Sequence, residues 1–90
     1  MMKALISVTG ADTTGIIARV STKLYEMNIN ILDISQTILS GCFTMMMVVD
    51  LTSCGLTFSE VADELTPVGR EIGMEIHVQR MDIFDAMHRV

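Results

Sequence analysis

The hydrophobic period of this chain switches between two and about 3.6 residues in a fixed order: strand, helix, strand, strand, helix, strand. That order leaves few folds open. Residues 3–9 alternate, with Ala4, Ile6 and Val8 on one side and Lys3, Leu5 and Ser7 on the other. In residues 16–27, Ile17, Val20, Leu24 and Met27 recur at helical spacing, while Arg19, Lys23 and Glu26 fall elsewhere on the surface. Residues 30–39 alternate again. Leu32, Ile34 and Ile38 share one face and Asp33, Ser35 and Thr37 the other; Ile31 breaks the pattern, which predicts a bulge or an interface contact near the strand's start.

Ser40-Gly41 is a tight-turn pair, so residues 42–51 complete a β-hairpin. This third strand is apolar on both parities (Phe43, Met45, Met47 and Val49, then Met46 and Val48), which predicts a central strand buried on both faces. After a loop, Thr57-x-x-Glu60 forms a capping box ahead of a helix with Phe58, Val61, Leu65, Val68 and Ile72 as its apolar stripe. Pro67 falls inside that stripe and predicts a kink or interruption near residues 63–66. Gly73 is a suitable stop. Residues 74–81 form a fourth strand with Met74, Ile76 and Val78 inward and Glu75, His77 and Gln79 outward. Asp82 caps a short extra helix with Ile83, Phe84 and Met87 as its apolar face. The expected fold is α+β and ferredoxin-like: βαββαβ, a four-stranded antiparallel sheet with two helices on one face, plus a short C-terminal helix. One domain spans 1–90, with the core in 1–81 and the terminal helix in 82–90.

Charge and composition remove several function classes. The formal net charge is −5, and the six basic residues are scattered along the chain. Affinity for a nucleic-acid backbone is largely electrostatic, so no nucleic-acid partner is expected. The longest apolar run, Met45-Met46-Met47-Val48-Val49, is far short of the ~20 residues of a membrane helix. The N-terminus reads directly into a strand without a signal-peptide pattern, so a cytoplasmic location and no membrane partner are expected. Cys42 and Cys54 flank the third strand and should lie near its opposite ends, too far apart to bridge; reduced, half-buried thiols are expected. His77 and His88 stand apart with no ligand-spaced neighbours, and no nucleophile–base arrangement is legible. Neither a metal nor another cofactor is expected, and the chain does not read as an enzyme.

The stretch from Val8 to Ala18 is the best candidate for a site. It leaves a strand, turns through Gly10-Ala11-Asp12-Thr13-Thr14-Gly15 and enters a helix at Ile16. Backbone N–H donors at a helix start bind small anionic groups. Asn28-Ile29-Asn30 forms a second polar cluster where that helix hands over to the next strand. Both clusters also have a purely structural explanation. Asp12, Thr13 or Thr14 would cap the helix, Asn28 would take a left-handed helix-end conformation, and Asn30 would satisfy local backbone.

The chain resembles the ACT domain family along nearly its whole length. The matching residues are Gly10-x-Asp12-x-x-Gly15-Ile16-Ile17-Ala18, Asn28-Ile29-Asn30-Ile31, and Asp33-Ile34-Ser35-Gln36-Thr37 followed by Phe43-Thr44-Met45-Met46. The likeness is to stand-alone single-ACT proteins, similar to one half of the glycine cleavage system repressor. It implies a regulatory module that binds a small molecule, often an amino acid, and works as a homodimer joined through edge strands, here 30–39. The implied ligand-binding positions are Asp12, Thr13, Thr14, Gly15 and Ile16 from the first loop, and Asn30 and Ile31 from the second strand. Amides at the helix start would take a carboxylate, and the Asp12 and Asn30 oxygens an ammonium. A regulated protein partner is a further expectation. The alternative is a ligand-free protein–protein interaction module whose first loop is structural.

Overall fold

A computed structural model describes residues 2–81. The elements are β1 (Lys3–Ala11), α1 (Ile16–Glu26), β2 (Asn30–Leu39), β3 (Cys42–Asp50), α2 (Phe58–Ile72) and β4 (Met74–Arg80). The strands form one antiparallel sheet in the order β2-β3-β1-β4, so the expected βαββαβ architecture is the one observed. The expected terminal helix, 82–90, lies outside the described residues.

Alternation along the two central strands builds the floor of the core. Ala4, Ile6 and Val8 of β1 and Phe43, Met45, Met47 and Val49 of β3 are buried against Val20 and Leu24 of α1 and Val61, Leu65 and Val68 of α2. Burying each such aliphatic or aromatic side chain contributes roughly 1.5–3 kcal/mol. No polar or charged residue is buried among those described. The helices are tied across their exposed faces by Arg19 to Glu71, with Nε–Oε2 at 2.6 Å, and by Lys23 to Glu64 at 3.0 Å.

Local signals act where the sequence places them. Ser40 and Gly41 take φ of 51° and 79°, as a two-residue hairpin turn requires. The ladder shifts register between Ile31 and Asp33, so Leu32 is the extra residue of the bulge. Thr57 caps α2 with both bonds of the capping box: its hydroxyl accepts from the Glu60 N–H at 3.2 Å, and its own N–H donates to Glu60 Oε1 at 2.8 Å. Gly73 closes the helix at φ 70°.

Five expectations need correction. β1 runs two residues further than the alternation implied, because Gly10 and Ala11 pair with Phe43 and Cys42. Gly10 is there to let chains approach: a Cβ would lie 2.8 Å from the Gly73 carbonyl oxygen. The inward stripe of α1 begins at Ile16, leaving Ile17 40% exposed; both residues sit at helical spacing from Val20, and the entry angle of the loop selects between them. β3 is buried on one face only, since Met46 on the other face is 43% exposed. α2 continues through Pro67. The proline is exposed and removes a single donor, and the buried Leu65 and Val68 on either side hold the turn in place. Both cysteines are free, but only Cys54 is half-buried, whereas Cys42 is exposed at the hairpin end.

Candidate functional site

The first loop leaves β1 at Ala11 and enters α1 at Ile16. Gly15 occupies the N-cap position with φ 88° and ψ 7°, a left-handed conformation open to glycine at little cost. No side chain caps the helix. The structural explanation of the loop, in which Asp12, Thr13 or Thr14 supplies that cap, is therefore not the arrangement observed. A left-handed N-cap turns the preceding side chains away from the first-turn amides that an extended cap residue reaches. The side chains of Asp12, Thr13 and Thr14 are exposed and make no hydrogen bond among the described residues. The Asp12 backbone N–H donates to the Gly41 carbonyl at 2.8 Å, which holds the loop against the turn at the end of β2.

The second cluster lies at the other end of the sheet. Asn30 opens β2 and is registered with Asp50, the last residue of β3, which in turn faces Lys3, the first residue of β1. The first loop follows the last residue of β1. Nine residues of β1 therefore separate the two clusters, about 30 Å at ~3.3 Å per residue. Within one chain, Asp12, Thr13, Thr14, Gly15 and Ile16 form one group and Asn30 and Ile31 another, and the structure does not bring the groups together. Ile16 is buried, Ile31 is half-buried, and the other five residues are exposed.

A pocket of about 270 Å³ lies beside Asn30. Tyr25, Asn28, Ile29, Asn30, Asp50 and Ser53 line it. Asn28 takes φ 59°, as expected of a left-handed helix-end residue, and its Nδ2 donates to the Ser53 carbonyl at 2.9 Å. That bond fastens the 52–56 loop to the end of α1. Asp50 Oδ1 accepts from the Thr52 hydroxyl at 2.6 Å and from the Thr52 N–H at 2.9 Å. The hydroxyl bond and then the backbone bond hold the Asp50 carboxyl below the usual carboxylate range. Sequence reasoning did not place Tyr25, Asp50 or Ser53 at a binding site. The signal for Asp50 was present: a turn that pairs 39 with 42 puts residue 30 opposite 51 by count, and the predicted bulge moves it to 50.

The long edge strand joins the two ends. β2 borders the sheet, and every residue from Leu32 to Leu39 is exposed, including Ile34 at 46%, Ile38 at 50% and Leu39 at 72%. An unpaired strand of this kind is a template for another strand. Among the described residues no group of three or more His, Cys, Asp or Glu is placed to hold a metal ion, and no helix is long and apolar enough to cross a membrane.

Comparison with known proteins gives a consistent result. The family model of the ACT domain matches residues 3–79. A UPF0237 protein of Listeria innocua is 52% identical over 89 residues, which is 99% of this chain and all of the relative. An ACT domain protein from Streptococcus pneumoniae superposes with a TM-score of 0.83 at 42% identity, over 92% of this chain and 93% of that one. A candidate glycine cleavage system transcriptional repressor shares the fold at a TM-score of 0.77 and 20% identity. The match covers 88% of this chain and 45% of the repressor, in line with the expected likeness to one half of it.

Proposed function

We propose, from the premise that the chain belongs to the ACT domain family, that it is a regulatory protein which binds an amino acid as a homodimer joined through β2. ACT domains are typically regulatory ligand-binding modules, and the activity read here is binding in the cytoplasm without catalysis. A two-fold axis across β2 sets the strand antiparallel to its twin. The Asn30 end of one copy then meets the Leu39 end of the other, where the Asp12–Gly41 bond holds the first loop. Each site so formed draws Asp12, Thr13, Thr14, Gly15 and Ile16 from one copy and Asn30 and Ile31 from the other.

The observation that carries this reading is the uncapped start of α1 on Gly15, beside an exposed apolar edge strand. First-turn amides without a capping side chain are donors for a carboxylate, favoured by the positive end of the helix dipole. Hydrogen bonds to charged groups contribute roughly 1.5–3 kcal/mol each, so a few support micromolar binding. The ligand regulates by favouring one association state over another. Calorimetric titration with the twenty proteinogenic amino acids at millimolar concentration tests the reading. Saturable heat with at least one amino acid, at one site per chain, is expected. Absence of heat and of any thermal shift with all of them overturns it and favours the interaction module.

A further inference from the structure

We infer that the pocket at the start of β2 recognises the ammonium group of the amino acid, with the Asp50 carboxylate as its counter-charge. The inference rests on the amino-acid reading and adds to it the polarity with which the ligand lies.

Three observations at the pocket support it. First, Asp50 lines the cavity and is held in place on one side only. Oδ1 takes both bonds from Thr52, whose hydroxyl is itself fixed by the Met2 N–H at 3.1 Å, while Oδ2 accepts no hydrogen bond among the described residues. A fixed carboxylate with one free oxygen is a preorganised acceptor.

Second, the pocket is set at the C-terminal end of α1, which finishes at Glu26, and Tyr25, Asn28 and Ile29 form part of its wall. The negative end of the helix dipole adds to the carboxylate in favouring a cation. Asn30 and Ser53 bring further oxygen acceptors.

Third, no cation forms an ion pair with Asp50 among the described residues, although Lys3 acts on it through space. Lys23, in the last turn of α1, is engaged by Glu64, and Lys3, next to Asp50 across the β1–β3 ladder, makes no ion pair with it among the described residues. Asp12, the other acidic residue of the implied site, is brought to this corner in the two-fold pair by the second copy, on the loop that opens its α1. In a two-fold pair, the start of α1 from one copy and the end of α1 from the other would face the same ligand. Their opposite partial charges match the carboxylate and the ammonium of a zwitterion.

The test compares each amino acid that binds with its N-acetyl derivative and its α-hydroxy-acid counterpart, on the full chain by calorimetry. The two analogues keep the carboxylate and remove the positive charge. The amino acid is expected to bind at least about tenfold tighter than either analogue, and Asp50→Asn to erase that preference by weakening the amino acid about tenfold. Glu75→Gln, in β4, is the control expected to change nothing. An amino acid that binds no better than its neutral analogues overturns the inference while leaving the amino-acid site intact. So does an Asp50→Asn protein that keeps the preference. If no amino acid binds, the reading beneath it fails as well. The analogue series on the unaltered protein gives its answer whether or not Asp50→Asn folds.

Discussion

The backbone N–H of Asp12 lies 2.8 Å from the carbonyl oxygen of Gly41. Through that bond the loop that opens α1 rides on the turn that ends the edge strand. In the proposed dimer, a second chain joining the sheet at β2 would come up against the first loop.

Ile34 and Ile38 sit on the edge strand about half exposed, so a lysine at either loses little within the monomer. Ile34→Lys is expected to leave unfolding stability within about 0.5 kcal/mol of the parent. It is expected to convert the dimer to monomer in sedimentation runs at tens of micromolar. A dimer that survives both Ile34→Lys and Ile38→Lys moves the interface away from β2.

Gly69 lies inside α2, where alanine ordinarily stabilises a helix by about 1 kcal/mol over glycine. Here a Cβ would stand 2.7 Å from the Met74 carbonyl oxygen, a backbone atom that cannot swing aside. Gly69→Ala is expected to lower the urea midpoint. Gly15→Ala meets no atom within 4 Å and is expected to cost only the ~1–2 kcal/mol of a left-handed alanine.

Thr57 caps α2 with a reciprocal pair of bonds. Thr57→Ala is expected to cost about 1 kcal/mol in denaturant unfolding, and Thr57→Ser to restore most of it. A neutral Thr57→Ala would mean that packing of Val61 and Leu65 alone holds the first turn.

Three carboxylates, the exposed Glu60 and Glu71 and the half-buried Asp50, are held below their ordinary range. The Thr57 backbone N–H and then its hydroxyl lower Glu60, the Arg19 guanidinium bond lowers Glu71, and the Thr52 hydroxyl and then its N–H lower Asp50. A group whose pKa is lower folded than unfolded adds stability above its unfolded value, and loses it as pH falls through the folded one. The urea midpoint is therefore expected to stay level from pH 7 to about 5 and to fall below about 4.5. Glu71→Gln is expected to make the acid limb shallower. A midpoint that rises on acidification would contradict this.

Much of the fold was legible because its signals are local. The capping box at Thr57 and Glu60, the Ser40-Gly41 turn and the break in alternation at Ile31 each act within a few residues of where they stand. What escaped depends on neighbours distant in sequence. Gly10 looks like a loop glycine until Gly73 and Met74 are seen packed against it. Ile16 and Ile17 are equivalent by spacing, and only the path of the loop separates them. The first loop was found from its composition, yet the composition suggested a side-chain cap, whereas the backbone uses Gly15. Asp50 was not joined to Asn30 because its place there follows from the bulge and the hairpin count taken together.

The most direct test asks whether each site is shared between two copies. Asp12→Ala and Asn30→Ala are prepared separately, and each homodimer is expected to bind the amino acid weakly, since every site lacks one contributor. Mixed and allowed to exchange, the two chains form a heterodimer with one doubly altered site and one intact site. The account predicts that calorimetry on the mixture recovers parental affinity at one site per heterodimer. Exchange that is complete by native mass spectrometry but restores no binding would contradict it and show that the site is not shared between the first loop of one copy and β2 of the other.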